Sequence, residues 1–344
     1  MVKVVLAGCG AMSSVWFEAI AKIPEVELVG LVDIDLARAQ ACAKKYNLSG
    51  IGIGTDLKAI LSSTKPEAVF DVVVPQARKE LVLSAFAHGC HVLTEKPMAA
   101  SLEEARDILE SAKQHNKIHA VVQNRRYLGN VRRIRRFLDS GVLGKLTSVH
   151  ADFFIAPHFG GFREAMEHVL LVDMAIHTFD AARYMIQASP KAVFCREWDP
   201  INSWYKSGSS AFATFDFDSG TVFNYRGSWC ASGMKTSWES SWRFVCERGT
   251  LLWDGFEAIT AERATAQRDG IFEVMESVEI PPLSPADRVG GHEGIIRDFV
   301  AAIADGRQPE TSGNDNIKSL AMVFGAVESA RLGNTVPIDL QETA

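Results

Sequence analysis

Short apolar runs alternate with longer stretches of helical period through the first third of the chain. The pattern predicts strands at 2–7, 26–32, 68–74, 91–94 and 119–123. Between them it predicts helices at 14–22, 36–46, 79–89 and 102–116, and one opened by Thr55-Asp56 and running to Ser62. Asp35 is placed to cap the second helix. Ser101, with Glu104 three residues on, forms a capping box for the helix that follows. Strands spaced by helices specify an α/β fold with a doubly wound parallel sheet.

After residue 123 the texture changes. A helix at 131–140, a strand at 146–154 and a long helix at 168–186 are followed by strand-like runs without intervening helices. These runs lie at 192–198, 210–216, 221–227, 241–246, 250–254, 258–261 and 272–280. Asp218-Ser219-Gly220 is a hairpin signal, and Gly249 and Gly255 punctuate other turns. The pattern predicts an α+β domain with a large, mostly antiparallel open sheet. Helices at 291–305 and 314–332 close the chain and are expected to pack back toward the first domain. The division is therefore 1–123 and 124–344. Trp204, Trp229, Trp238, Trp242 and Trp253 fall in or near the strands of the second domain. On an outer sheet face they would predict a homo-oligomer, dimer or tetramer; alternatively they fill the core between helices and sheet.

Composition narrows the class. A chain of 344 residues accommodates two domains, and 47% hydrophobic with 23% charged residues is ordinary for a globular protein. A net charge of −6 disfavours nucleic acid or an anionic membrane as partner. The arginines at 132, 133, 135 and 136 then read as one solvated helix face. No apolar run is long enough for a membrane span, and the chain opens directly into a strand without a leader pattern. Asn47-Leu48-Ser49 is expected to be idle. Six cysteines without C-x-x-C spacing read as reduced thiols in a cytoplasmic protein.

Gly8-Cys9-Gly10-Ala11-Met12-Ser13 follows the first strand, and Asp33 ends the second. Gly8 lets the chain turn out of the strand, and Gly10 lets backbone approach a pyrophosphate. The helix starting near Ala11 and Met12 then directs its N–H groups at the phosphates. Asp33 would accept hydrogen bonds from the adenosine ribose and repel a 2′-phosphate, which selects NAD over NADP. Ser13 stands where the fingerprint has its third glycine.

Two further groups carry candidate chemistry. Glu95-Lys96-Pro97 follows the strand at 91–94, at the edge where parallel sheets bind ligands. Lys96 could bond a substrate hydroxyl, or be a surface lysine in a turn. Asp173 and His177, four residues apart, share a helical face; they read equally as a general base with its orienting carboxylate or as a structural pair. A metal site built from His168, Asp173, His177 and His292 is a rival reading, without an established zinc spacing.

The segments GCGAMS at 8–13, EKP at 95–97, QNRRY at 123–127, DMAIH at 173–177 and GHEGIIRDF at 291–299 together resemble the Gfo/Idh/MocA oxidoreductase family, that of glucose–fructose oxidoreductase and inositol dehydrogenase. The resemblance runs essentially the whole length. It implies a Rossmann domain, an open-sheet domain, and NAD-linked hydride transfer to or from a sugar, cyclitol or related polyol. Carried over by position, Lys96 contacts substrate and Asp173 with His177 forms the acid–base pair. Gly8, Gly10, Ala11, Met12, Asp33, Pro75, Glu95 and Lys96 contact cofactor, and Glu95 faces the nicotinamide end. Gln123 and Arg125 or Arg126 would lie where the domains meet. Arg126, His158 and Arg163 join Lys96, Asp173 and His177 as candidate substrate contacts. Two positions depart from the family. His168-Val169-Leu170 replaces a glycine-rich run, and Arg78 stands where a histidine is common, pointing to an anionic group on the ligand. The loop at 155–163 is expected to cover the substrate, or to pack at an oligomer interface. Two other functions are open on the same fold: a glycosidase that oxidises its sugar transiently with bound NAD, and a catalytically silent sugar sensor.

Overall fold

A computed structural model describes residues 1–340. It contains two compact units, Met1–Tyr127 with Gly290–Leu320, and Leu128–Val289 with Ala321–Leu340. The first unit thus takes in a second stretch of chain, Gly290–Leu320, beyond the second unit's main segment.

In the first unit, β1 (Val2–Ala7), α1 (Ser13–Ile20), β2 (Val26–Val32), α2 (Leu36–Lys45), β3 (Gly52–Gly54), α3 (Leu57–Thr64), β4 (Ala68–Asp71), α4 (Pro75–Ala87), β5 (His91–Thr94), α5 (Leu102–Gln114) and β6 (His119–Val121) alternate. The six strands form one parallel sheet in the order β3-β2-β1-β4-β5-β6. The order reverses between β1 and β4, which opens a crevice at the C-terminal strand ends. Asp35 accepts from the Ala37 and Arg38 amides, and Ser101 from that of Glu104, as the capping signals require. Pro75 does not end a strand as the pattern suggested. It opens α4, where its fixed φ suits the first helical position and its missing N–H costs nothing.

The second unit holds α6 (Gly129–Asp139), β7 (Leu146–Phe154), α7 (Ile176–Ile186), β8 (Pro190–Trp198), β9 (Ser210–Phe217), β10 (Val222–Ser228), β11 (Ser241–Cys246), β12 (Gly249–Trp253), β13 (Ile259–Asp269) and β14 (Phe272–Val278). α8 (His292–Asp305) returns to the first unit. α9 (Gly313–Leu332) begins in the first unit and ends in the second, before β15 (Val336–Pro337). The second sheet has nine strands among the described residues, in the order β14-β13-β12-β11-β7-β10-β9-β8-β15. Every pairing is antiparallel except β10 with β7.

Strand alternation assigns the faces. Val149, Ala151 and Phe153 of β7 are buried, while Ser148, His150 and Asp152 lie on the other side. Phe179 of α7 packs edge-on against Phe215 and Tyr225. The inner face continues as a stack of Phe215, Phe223, Trp242, Phe244 and Trp253. The outer-face expectation for the tryptophans is thereby corrected. Trp229, Trp242 and Trp253 are buried within the unit, because their positions in the alternation fall on the helix side. Trp238 is exposed, and Trp204 is half-buried against His158. The open face instead carries Phe194, Trp198, Phe212 and Leu252 around the polar set His150, Asn224, Asp152 and Arg226.

Two histidines in the first unit link stability to acid. His119 is fully buried, with Nε2 3.0 Å from Thr94 Oγ1, and burial pushes its imidazole down to about 3. Burial, with Lys117 nearby, takes His91 to about 4. Both folded values lie below the unfolded 6.5, so the stability they contribute is complete above 6.5 and is lost as pH falls toward the folded values. Unfolding free energies from urea titrations should drop through that window, by up to about 1.4 kcal/mol per pH unit for His119. The His91→Asn/His119→Asn variant should show a flatter profile; an unchanged slope would refute the assignment.

Candidate active site

The glycine turn leaves β1 at the switch point. Gly8 has φ +99°, and a Cβ there would lie 2.6 Å from Val72 O, so the turn requires glycine for both conformation and space. A Cβ on Gly10 would meet nothing within 4 Å, which leaves an open cradle at the start of α1. Ser13 fills the third-glycine position by turning its hydroxyl back onto Gly10 O at 2.7 Å. Asp33 is buried. Its Oδ2 accepts from the Cys9 amide at 2.7 Å and its Oδ1 from the Asp35 amide at 2.9 Å. The acid thus ties the turn to the end of β2. Arg38 lies 3.8 Å from it.

β5 ends on the same edge and delivers Glu95 and Lys96. Glu95 is buried. Oε1 accepts from Trp16 Nε1 at 2.8 Å and lies 3.1 Å from His292 Nε2, while Oε2 accepts from the Lys96 amide at 3.1 Å. Burial alone would raise its carboxyl, but the bonds from His292 and Trp16 and the charge of Lys96 hold it lower than usual. Glu95 therefore fixes the backbone of the lysine loop from beneath. Trp16 and His292, which complete this cluster, carried no sequence signal for the role beyond the family-like stretch around His292.

Arg78 corrects an expectation. It is 1% exposed, with Nε 2.8 Å from Asp71 Oδ2, Nη2 2.6 Å from Val73 O, and Nη1 donating to Pro97 O. Each of its three nitrogens is bonded inside the protein, so it braces the loop after Lys96 rather than receiving an anion. Burial raises the Asp71 carboxyl, against the opposing pull of Arg78 and of the Val73 amide. Arg126 is likewise buried, and it pairs with Asp315 at 2.7 Å and reaches Glu310 O. Gln123, just beyond β6, is buried with neither amide atom hydrogen-bonded among the described residues. Such a donor–acceptor pair at the ligand edge suits a polar ligand group. The open cradle at Gly10, the buried acid at 33 and this amide together fit a dinucleotide.

In the second unit, β7 leads into a braced loop. Pro157 O accepts from Tyr205 OH at 2.5 Å and from Trp204 Nε1 at 3.3 Å, and the Trp204 ring stacks on His158 at 3.7 Å. Burial pushes the Tyr205 phenol up to about 12, and nearby Glu164 and Asp173 add to the shift. The tight turn Gly161–Ala165 carries Arg163, whose Nε donates to Asp173 Oδ2 at 2.7 Å. The helix predicted at 168–186 is two pieces, a π-helical segment Leu170–Ala175 and then α7. Asp173 sits in the wide turn and His177 is the second residue of α7, so a change of helical pitch separates them; such insertions are frequent at functional sites. His168, at φ +52°, begins this stretch. Its Nδ1 is 2.5 Å from Glu197 Oε2, and that bond raises its imidazole pKa against the effect of burial. His168 and His292 thus serve carboxylates of their own units, and the described residues gather no set of three or more His, Cys, Asp or Glu that could hold a metal.

Comparison with known proteins agrees with this geometry. Residues 2–123 match the model of an oxidoreductase family with an NAD-binding Rossmann fold, and residues 131–252 match the Gfo/Idh/MocA C-terminal domain. D-apiose dehydrogenase of Paraburkholderia graminis is 25% identical over 98% of this chain and 89% of that protein. D-glucoside 3-dehydrogenase of Escherichia coli is 30% identical over 58% of this chain and 61% of that protein. Among solved structures, an Agrobacterium radiobacter oxidoreductase in complex with NAD+, L-tartaric acid and magnesium superposes with a TM-score of 0.85 at 21% identity, covering 98% of each chain.

Proposed function

Since this chain belongs to the Gfo/Idh/MocA oxidoreductase family, whose NAD-binding domain it carries, we propose that it oxidises a secondary hydroxyl of a sugar or polyol, with Lys96, Asp173 and His177 handling the proton. The observation that carries this reading is the single sheet edge that presents Gly8, Gly10, Asp33 and Lys96 together.

Gly8–Ser13 and Asp33 would hold the dinucleotide, and the Gln123 amide offers a donor and an acceptor at the same edge. Bound NAD+ supplies the acceptor for the hydride leaving carbon. His177 takes the hydroxyl proton, and Asp173 stabilises the imidazolium that results. Lys96 donates to the substrate oxygen as negative charge builds there. Glu95 and Arg78 hold the lysine loop so that this donor arrives already oriented. The reverse steps serve reduction.

The deciding experiment screens sugars, cyclitols and acidic sugars for nicotinamide absorbance. NADH accumulating in proportion to oxidised sugar supports a dehydrogenase. Glycoside cleavage without net NADH would identify a transiently oxidising glycosidase, and binding without reaction a sensor.

Asp33 carries a separate prediction. Asp33→Ala should weaken NAD+ binding on the order of tenfold to a hundredfold, the scale of a lost charged hydrogen bond. It should also narrow the preference over NADP+, because Arg38 is then left without that carboxylate. Titration calorimetry with both nucleotides checks this; an unchanged preference would count against Asp33 as the selector.

The open sheet face, with Trp198, Phe212 and Leu252 around a polar centre, is the surface on which a second copy would pack. Sedimentation showing monomer alone would remove this homo-oligomer. No described helix is long and apolar enough to cross a membrane. The six free cysteines suit a reducing, cytoplasmic setting.

A further inference from the structure

We propose that Arg163 is a carboxylate receptor and that the substrate is a sugar acid, an aldonate or uronate, held by its acid group beside Asp173. This rests on the reading of Asp173 as part of the reacting site.

Arg163 is 27% exposed and unusually confined. Its guanidinium carbon lies 5.0 Å from the centre of the Phe159 ring and 4.9 Å from that of Phe162. Its Nε is committed to Asp173 at 2.7 Å. Neither terminal nitrogen has a hydrogen-bond partner among the described residues. A guanidinium walled by two rings and spent at Nε has one direction left, the fork of its terminal N–H groups. That fork matches the two oxygens of a carboxylate, and partial removal from water strengthens the match.

The surroundings favour a fixed receptor over a wandering surface arginine. Both Trp204 and Tyr205 anchor the loop at Pro157 O, and the Gly160 amide donates to Glu164 Oε1 at 2.9 Å. Phe159 is backed by Trp229 at 5.3 Å. Neighbouring cations are taken up elsewhere, Lys206 by Glu167 and His168 by Glu197. A neutral sugar would offer only hydroxyls to this fork, a weaker partner for a cation whose faces are already dry.

The test pairs each acid with its neutral counterpart: D-glucuronate with D-glucose, D-galacturonate with D-galactose, D-gluconate with D-glucitol, and D-galactonate with galactitol. Binding is measured by titration calorimetry with NAD+ present, and NADH formation is followed separately. At least one acid should bind about tenfold or more tightly than its partner, the scale of one charged hydrogen bond. Arg163→Met should bring that ratio close to one, and Arg163→Lys should recover part of it; Arg163→Gln is a second uncharged variant if the first fails to fold. The ratio cancels any effect that losing the Arg163–Asp173 pair has on both compounds. If no acid exceeds its neutral partner, or if the preference survives in Arg163→Met, the proposal is overturned. Arg163-dependent acid binding without NADH leaves the receptor standing and sinks the redox reading. NADH from neutral sugars without acid preference does the reverse.

Discussion

Lys96→Ala and His177→Ala are each expected to lower kcat/KM by about 10²–10⁴-fold, the usual share of a positioned proton-transfer group. The lysine loop should survive the first change, because the Lys96 backbone amide keeps its bond to Glu95 Oε2 in the variant. The second change removes an imidazole from the start of α7, whose hydrophobic anchors Ile176 and Phe179 remain. Thermal midpoints should therefore stay near wild type while turnover collapses, and NAD+ affinity should stay near wild type in His177→Ala. The loss should fall mainly on kcat, since charge on the substrate oxygen develops during the reaction. Near-normal turnover in both variants would remove the proposed chemistry; a collapse of NAD+ affinity in both would reassign the residues to cofactor binding.

The largest stability effect is expected at Arg78. Arg78→Met leaves Asp71, fully buried, without its partner at 2.8 Å, and leaves the carbonyls of Val73 and Pro97 without their donor. Removing one member of a buried ion pair costs about 3–5 kcal/mol. Because burial already raises the Asp71 carboxyl, the variant should lose more stability at neutral pH than in mild acid, where Asp71 can take a proton. Asp71→Asn/Arg78→Met should recover part of the loss by removing the stranded charge. Urea denaturation of both variants and the wild type decides the matter; a single variant as stable as wild type would mean that the pair contributes nothing.

The first unit was legible because its information is local. Strand, glycine turn, helix and acid occur in order within β1 to β2, and each residue type answers a nearby backbone need. Even there the reading failed where side chains are small or shared between elements. β3 has glycine at both ends and shows no period. Pro75 stops a strand and starts a helix with equal propriety, and only the helix keeps it inside an element. The second unit was less legible. Its strands were recognisable, but the side facing the core depends on register, and a shift of one position would turn Trp242 and Trp253 outward. The wide turn holding Asp173 has no signature in composition. Arg163 was a candidate for substrate, and its bond to Asp173 could not be inferred, since ten residues and a braced loop separate them. Arg78 misled for the opposite reason. Its partner Asp71 lies seven residues away across a helix start, yet an arginine near a ligand edge suggests an anion until burial reveals that each of its three nitrogens already has a partner.

Trp16 has a consequence for how the protein can be watched. It is the sole indole in the first unit; the other six tryptophans belong to the second. Its N–H rests on Glu95, one residue before Lys96, while its helix begins at the glycine turn. A protein keeping only this indole would carry a built-in optical reporter, whose emission tracks the polarity around the lysine loop as nucleotide comes and goes.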